Sequence, residues 1–288
     1  MMNRNSTHRL AELVSIRTED GVLLHGALFE TDTDRPVAAL LTHGGWGNFY
    51  TGLGRFLPGT LAAAGIACLS LNNRGHDYGT VADGEPCIGL LREQFEDSPK
   101  DVAAGLQLLK ERGYRRVILI AHSYGAAKAV YSQVLAPNGD VETLILCSPA
   151  ALMKDVWKHY LDVPYDEAVG EATHLVDAGQ KERFVIFRHH GPMPLISTAR
   201  TFLSVWGPDS VQDMRKYIDR IAKPLLVTVC ESDRICRDYS RAVYDCASRA
   251  EPREFLLFPG GDHYYTRAEG LLEKAVLSWI HRLGLAGE

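Results

Sequence analysis

A serine at a strand-to-helix corner is the first place in this sequence where covalent chemistry could occur. The run Val117-Ile118-Leu119-Ile120-Ala121-His122-Ser123-Tyr124-Gly125-Ala126-Ala127 begins with β-branched and aliphatic residues and ends with small, helix-favouring ones. It reads as a buried strand, a tight turn and a helix. Ser123 occupies the turn, which is the context a nucleophile elbow requires. Small neighbours are needed there, because the backbone at the nucleophile is strained and a flanking Cβ would clash. Gly125 meets that need, while Ala121 stands where the G-x-S-x-G pattern has its first glycine.

A serine hydroxyl is a weak nucleophile near neutral pH and needs a general base. His263 follows the glycine-rich stretch Pro259-Gly260-Gly261-Asp262, a loop able to carry an imidazole across to Ser123. The base needs a partner that fixes its tautomer and stabilises the imidazolium. Asp233, just past the apolar run Leu225 to Val229, fits that role by its strand-end position. Glu231 and Asp238 are its rivals. Together the three residues could attack a carbonyl through serine, and their chain order is Ser, Asp, His.

These residues must be held by elements that the hydropathy pattern also predicts. Runs 13–17 and 22–28 flank Glu19-Asp20-Gly21, a hairpin signal at a sheet edge. Continuous apolar runs follow at 36–42, 65–71, 117–121, 141–149, 223–229 and 254–258. Helical spacing appears at 57–64, 99–112 and 268–283. Alternation of strands and helices implies an α/β fold with a mostly parallel sheet covered on both faces. In such sheets ligands gather at the carboxyl ends of the strands. That rule picks out His43-Gly44-Gly45, the segment Asn72 to Asp77, Ser123, Asp233 and His263. Residues 151–215 break the rhythm with aromatic clusters and Gly191-Pro192-Met193-Pro194. They are expected to form a lid inserted into a core made of 1–150 and 216–288.

Composition narrows the function classes. The chain has 288 residues, 46% hydrophobic and 23% charged, with a net charge of −5. No basic cluster favours nucleic acid. No stretch approaches the ~20 apolar residues of a membrane span. Met1 to His8 has no apolar leader core, and none of the six cysteines forms a C-x-x-C pair. A cytoplasmic protein with reduced cysteines is expected, with Cys230 and Cys236 flanking the candidate acid. His189-His190 and the other histidines match no metal-ligand spacing, so neither a metal nor a cofactor is expected.

With these motifs in place, the chain resembles the α/β-hydrolase superfamily. The resemblance runs from the His-Gly-Gly turn at 43–45 to His263. Ser197-Thr198-Ala199-Arg200-Thr201-Phe202-Leu203 and Asn73-Arg74-Gly75-His76 look like a group of esterases that includes fungal siderophore hydrolases. The resemblance implies an α/β-hydrolase fold with a lid, and a triad of Ser123, His263 and Asp233. It also implies an oxyanion hole made by the backbone N–H of Tyr124 and one from the loop after His43, either Gly45 or Trp46. Donors of this kind contribute roughly 3–4 kcal/mol each toward a tetrahedral intermediate. His43, Arg74, His76 and Asp77 are expected to brace the site, His122 to pack beneath the elbow, and Asp262 to form a turn.

The expected activity is hydrolysis of a carboxylic ester or lactone through an acyl-enzyme, with a thioester or amide as the same chemistry on another leaving group. The lid side chains Trp157, Tyr160, Phe187, Met193, Phe202 and Trp206 suggest a bulky, partly apolar small molecule. A macrocyclic lactone, a siderophore or an aromatic ester would qualify. A non-catalytic receptor on the same fold is the rival from another class. A nucleotide-dependent oxidoreductase is disfavoured, because Gly44-Gly45-Trp46-Gly47 contains no G-x-G-x-x-G.

Overall fold

The computed structural model describes residues 11–31, 36–81, 84–188, 190 and 194–286. The chain begins with the antiparallel pair β1 (Glu12–Arg17) and β2 (Leu23–Phe29). The turn between them is held by Thr18, whose N–H donates to the carbonyl of Val22 at 2.9 Å. There follow β3 (Val37–Thr42), α1 (Leu57–Ala63), β4 (Ala67–Leu71), α2 (Ser98–Glu111), β5 (Arg116–His122), α3 (Tyr124–Leu135) and β6 (Val141–Cys147). The 151–215 region contributes α4 (Tyr165–Asp177), the hairpin β7 (Phe184–Phe187) and β8 (Leu195–Thr198), and α5 (Ala199–Trp206). The chain closes with β9 (Leu225–Cys230), α6 (Arg237–Cys246), β10 (Arg253–Phe258) and α7 (Glu269–Arg282).

Eight strands form one sheet in the order β1-β2-β4-β3-β5-β6-β9-β10, parallel from β4 onward. The strands are apolar at successive positions because both faces are covered. In β5, Val117, Leu119 and Ala121 face one core, while Ile118 and Ile120 face the other. Helices α2, α3 and α6 share the first core, and α1 and α7 the second. Ala121 is fully buried in the first core, where its methyl packs instead of opening space in the turn.

The segment after β6 leaves the sheet and returns at β9. Its buried residues are continuous with the core on the α2, α3 and α6 face. It is tied to the long loop after β4: Thr198 N–H donates to the Leu91 carbonyl at 2.9 Å, and the Tyr78 hydroxyl donates to the Pro194 carbonyl at 3.0 Å. Sequence periodicity anticipates a mainly helical or irregular insertion; the structure adds the β7–β8 hairpin. These strands have four residues each, too short for a period-two signal to stand out. Helix α6 also has no counterpart in the sequence reading. It is strongly polar and buries only Ser240 and Val243. No helix among the described residues is long and apolar enough to cross a membrane.

Candidate active site

Ser123 sits between β5 and α3 with φ 55° and ψ −126°. A residue with a Cβ pays strain of about 1–3 kcal/mol in such a conformation. The neighbours explain how the strain persists. The Ser123 N–H donates to the Cys147 carbonyl at 2.9 Å, and the Ser123 carbonyl accepts from Ala126 N–H at 3.0 Å and Ala150 N–H at 3.2 Å. Gly125 lets α3 begin directly against the preceding loop: a Cβ there would lie 2.3 Å from the His43 carbonyl oxygen.

The three sequence-selected residues converge. His263 Nε2 lies 2.8 Å from Ser123 Oγ, and His263 Nδ1 lies 2.7 Å from Asp233 Oδ2. With Nδ1–H donating to the carboxylate, Nε2 is free to accept the serine hydroxyl proton. Ser123 and Asp233 are buried, whereas the His263 side chain is 28% exposed. Burial by itself would raise the Asp233 carboxyl. The His263 ring, the Cys236 N–H and the Ser148 hydroxyl together hold it below the usual carboxylate range. Glu231 and Asp238 are exposed on the surface, and Asp238 pairs with Arg237 at 3.0 Å.

His263 reaches across because the loop after β10 is folded tightly. Gly260 and Gly261 both adopt φ 66°, and a Cβ on Gly261 would fall 2.7 Å from Cys230 Sγ. Asp262 Oδ1 accepts from the N–H groups of Tyr264 and Thr266, each at 2.9 Å. Tyr265 is buried and donates its hydroxyl to the Thr228 carbonyl at 3.0 Å. His122 anchors the same loop from below, its Nε2–H donating to the His263 carbonyl at 2.8 Å. Burial, aided by the nearby His263, pushes the pKa of His122 down to about 3. His122 thus does more than pack beneath the elbow. Tyr265 and Ser148 escaped the sequence reading, although Ser148 directly follows β6 and strand ends mark this site.

The His43 to Gly47 loop lies beside the start of α3. A Cβ on Gly45 would stand 3.8 Å from Tyr124 Cβ, so the two predicted oxyanion segments are neighbours. Tyr124 N–H belongs to the first turn of α3, where backbone donors lack intrahelical partners. Trp46, the alternative donor, has φ 58°. His43 Nδ1–H donates to the Gly44 carbonyl at 2.7 Å, and Nε2 accepts from Asn73 N–H at 3.1 Å. Burial drives His43 down to about 3, so it stays neutral in this bridging role. Asn73 is held in turn by Lys128, which also pairs with Glu93 in the interior. Arg74 is held by Asp101 and Asp20 at 2.8–3.1 Å.

A cleft of about 30 Å³ opens beside Ser123, lined among others by Gly44, Gly45, Asn48, Thr51, His263 and Tyr264. The aromatic residues expected to line the pocket from 151–215 lie elsewhere. Trp157, Phe187, Phe202 and Trp206 are buried against one another, with ring centroids 5.1 Å apart for Trp157–Trp206 and 5.2 Å for Phe187–Phe202. Tyr160 joins the rim of this cluster at 5.8 Å from Trp206, and burial, with Cys236 and Asp233 nearby, pushes its hydroxyl pKa up. Met193 lies outside the described residues. The reason for the difference is packing: a small inserted unit needs its own core, and large aromatic side chains supply it. Ser197 to Leu203 form part of that unit, Asn73 holds His43, and Arg74 is anchored to Asp101. All six cysteines are free. Among the described residues, Asp233, Cys236 and His263 form one group with metal-ligating atoms close together, which sequence spacing did not suggest.

A model of the alpha/beta hydrolase family matches residues 22–273. The chain therefore belongs to the alpha/beta hydrolase family. Solved structures share the fold at low identity. DcsB, in a complex with its substrate analogue, is 14% identical with a TM-score of 0.73, covering 96% of this chain and 100% of that one. Est1E from Butyrivibrio proteoclasticus, bound to ferulic acid, is 15% identical with a TM-score of 0.70, covering 94% and 98%. The esterase domain of a Rhodothermus marinus protein is 17% identical with a TM-score of 0.62, covering 95% and 98%. No curated protein sequence matches the chain significantly.

Proposed function

We propose that this protein is a serine hydrolase that cleaves a carboxylic ester or lactone. The observation that carries the reading is the continuous chain of contacts from Ser123 Oγ through the His263 ring to Asp233, at 2.8 Å and 2.7 Å. In the first half-reaction His263 Nε2 takes the Ser123 proton as Oγ attacks the carbonyl carbon. The developing oxyanion accepts hydrogen bonds from the N–H groups of Tyr124 and Gly45. His263 then returns the proton to the leaving alkoxide, and an acyl-enzyme remains. In the second half-reaction His263 deprotonates a water, which displaces the acid from Ser123. Asp233 keeps Nδ1 protonated throughout and stabilises the transient imidazolium.

Structural neighbours that include an esterase domain and a protein with bound ferulic acid support an organic ester as the substrate class. The expected bulky, partly apolar substrate drew on the lid aromatics, most of which are occupied with one another. Tyr264 lines the cleft with its ring 5.3 Å from that of His263, and Tyr160 lies near Asp233. We therefore carry forward an ester or lactone of a small organic molecule without a minimum size. A screen of acyl esters and lactones of graded bulk, with Ser123→Ala as the blank, tests the reading. Turnover of at least one series by the wild type and none by the blank supports it. Equal rates in both proteins sink it.

A further inference from the structure

We propose that Asp233, Cys236 and His263 form an inhibitory Zn²⁺ site that switches off the general base. The inference rests on the hydrolase reading above for its effect on activity, though the site itself does not. Cys236 lies one turn beyond Asp233 at the start of α6, and its N–H donates to Asp233 Oδ1 at 3.2 Å. The turn that positions the acid therefore brings a thiol to the same place. A ligating atom from each of the three residues lies within 4.8 Å of the other two. Carboxylate, thiolate and imidazole are together a donor set that zinc favours.

Zinc bond lengths place ligand atoms about 3.5 Å apart, so Nδ1 and Oδ2, 2.7 Å apart, must open by less than about an ångström while the sulfur closes in from within 4.8 Å. Cys236 and Asp233 are buried, and the 28% exposed edge of His263 leaves the group open to solvent on one side. A water can complete four-coordination there. The charges also balance: one thiolate and one carboxylate neutralise the dication, which suits a buried position.

The consequence for catalysis follows from the imidazole tautomer. Zinc takes the Nδ1 lone pair, in the place of the proton that Nδ1 shares with Asp233 Oδ2 at 2.7 Å. That proton is exchanged through solvent and the ring becomes the Nε2–H form. The Cys236 thiol gives its proton to solvent as its sulfur binds the metal. The net change is uptake of Zn²⁺ and release of one proton. A ring that carries hydrogen on Nε2 donates to Ser123 Oγ and cannot accept its proton, so attack stops while the fold is unchanged.

The test uses the full chain and two readouts. Co²⁺, a spectroscopic stand-in for zinc, should give a thiolate-to-metal charge-transfer band with the wild type and with Cys246→Ser, but not with Cys236→Ser. This readout stands even if no ester is ever turned over. Hydrolysis is then followed against buffered free Zn²⁺, each protein being scored relative to its own zinc-free rate. The wild type and Cys246→Ser should lose activity at one equivalent and recover it with chelator. Cys236→Ser should need more than about 100-fold higher zinc, beyond the loss expected for an outer-sphere partner. Absence of the band in the wild type, or equal zinc sensitivity in Cys236→Ser, overturns the site. Absence of any hydrolysis with the band present overturns the activity reading and leaves the metal site standing.

Discussion

The elbow and the 151–215 segment are built from opposite materials. At the elbow, position is enforced by backbone: a carbonyl 2.3 Å from where a Gly125 Cβ would be, a positive φ at Ser123, and two glycines at φ 66° before His263. In the 151–215 segment the side chains are large, and position is enforced by their mutual packing, with Trp157 touching Tyr165, Phe202 and Trp206 edge to face. The first design fixes Ser123 and His263 through close backbone contacts. The second makes a self-packed unit that spends its aromatic faces internally. Substitutions in the two regions should therefore fail in different ways.

The largest effect is expected at the nucleophile. Ser123→Ala should lower kcat by about 10⁶ if the triad acts as a unit, with thermal unfolding within a degree or two of wild type. Asp233→Asn should lower kcat by about 10⁴, because the amide no longer imposes the tautomer that leaves Nε2 free. Steady-state kinetics beside calorimetry would check both. Trp206→Ala inverts the pattern: it should cost about 3–5 kcal/mol of stability through the cavity it leaves, while the folded fraction keeps kcat within tenfold. If that variant instead melted like the wild type and showed a raised KM, Trp206 would face substrate and the contrast between the regions would collapse.

A smaller effect comes from pH. His122 and His43 are buried and neutral, with pKa values near 3 against 6.5 when unfolded. The unfolded chain binds more protons in that window, so their contribution is fully present above pH 6.5 and is lost as pH falls toward 3. Each histidine should contribute a slope of about 1.4 kcal/mol per pH unit across that range. Denaturant titrations at several pH values should show this slope, and His122→Asn should reduce it by about 1.4 kcal/mol per pH unit. An unchanged slope in the variant would mean that His122 is already charged in the native state.

The contrast also explains what could be read from the sequence. Strand ends were legible because both faces of the sheet are covered, which makes β3, β5, β6 and β9 continuous apolar runs with abrupt polar stops. Ser123 and Asp233 lie just past such stops, and His263 lies in the glycine-rich loop after β10. The direction of an aromatic side chain was not legible, because Trp157 or Phe202 in a short irregular element looks the same whether it faces a neighbour or a ligand. Helix α6 was missed because its inward face is little more than Ser240 and Val243. Asp233 and Cys236 meet in the turn just before α6, and nothing in the sequence marked that turn while α6 was unrecognised.

The central claim is that His263 makes Ser123 a nucleophile. Covalent labelling with a fluorophosphonate, followed by peptide mapping by mass spectrometry, tests it without knowledge of the substrate. We expect a single adduct on Ser123 in the wild type, and labelling slowed by at least about 10³ in His263→Ala. Wild-type protein that stays unlabelled at Ser123, or labelling that proceeds equally fast without the His263 imidazole, would contradict the account.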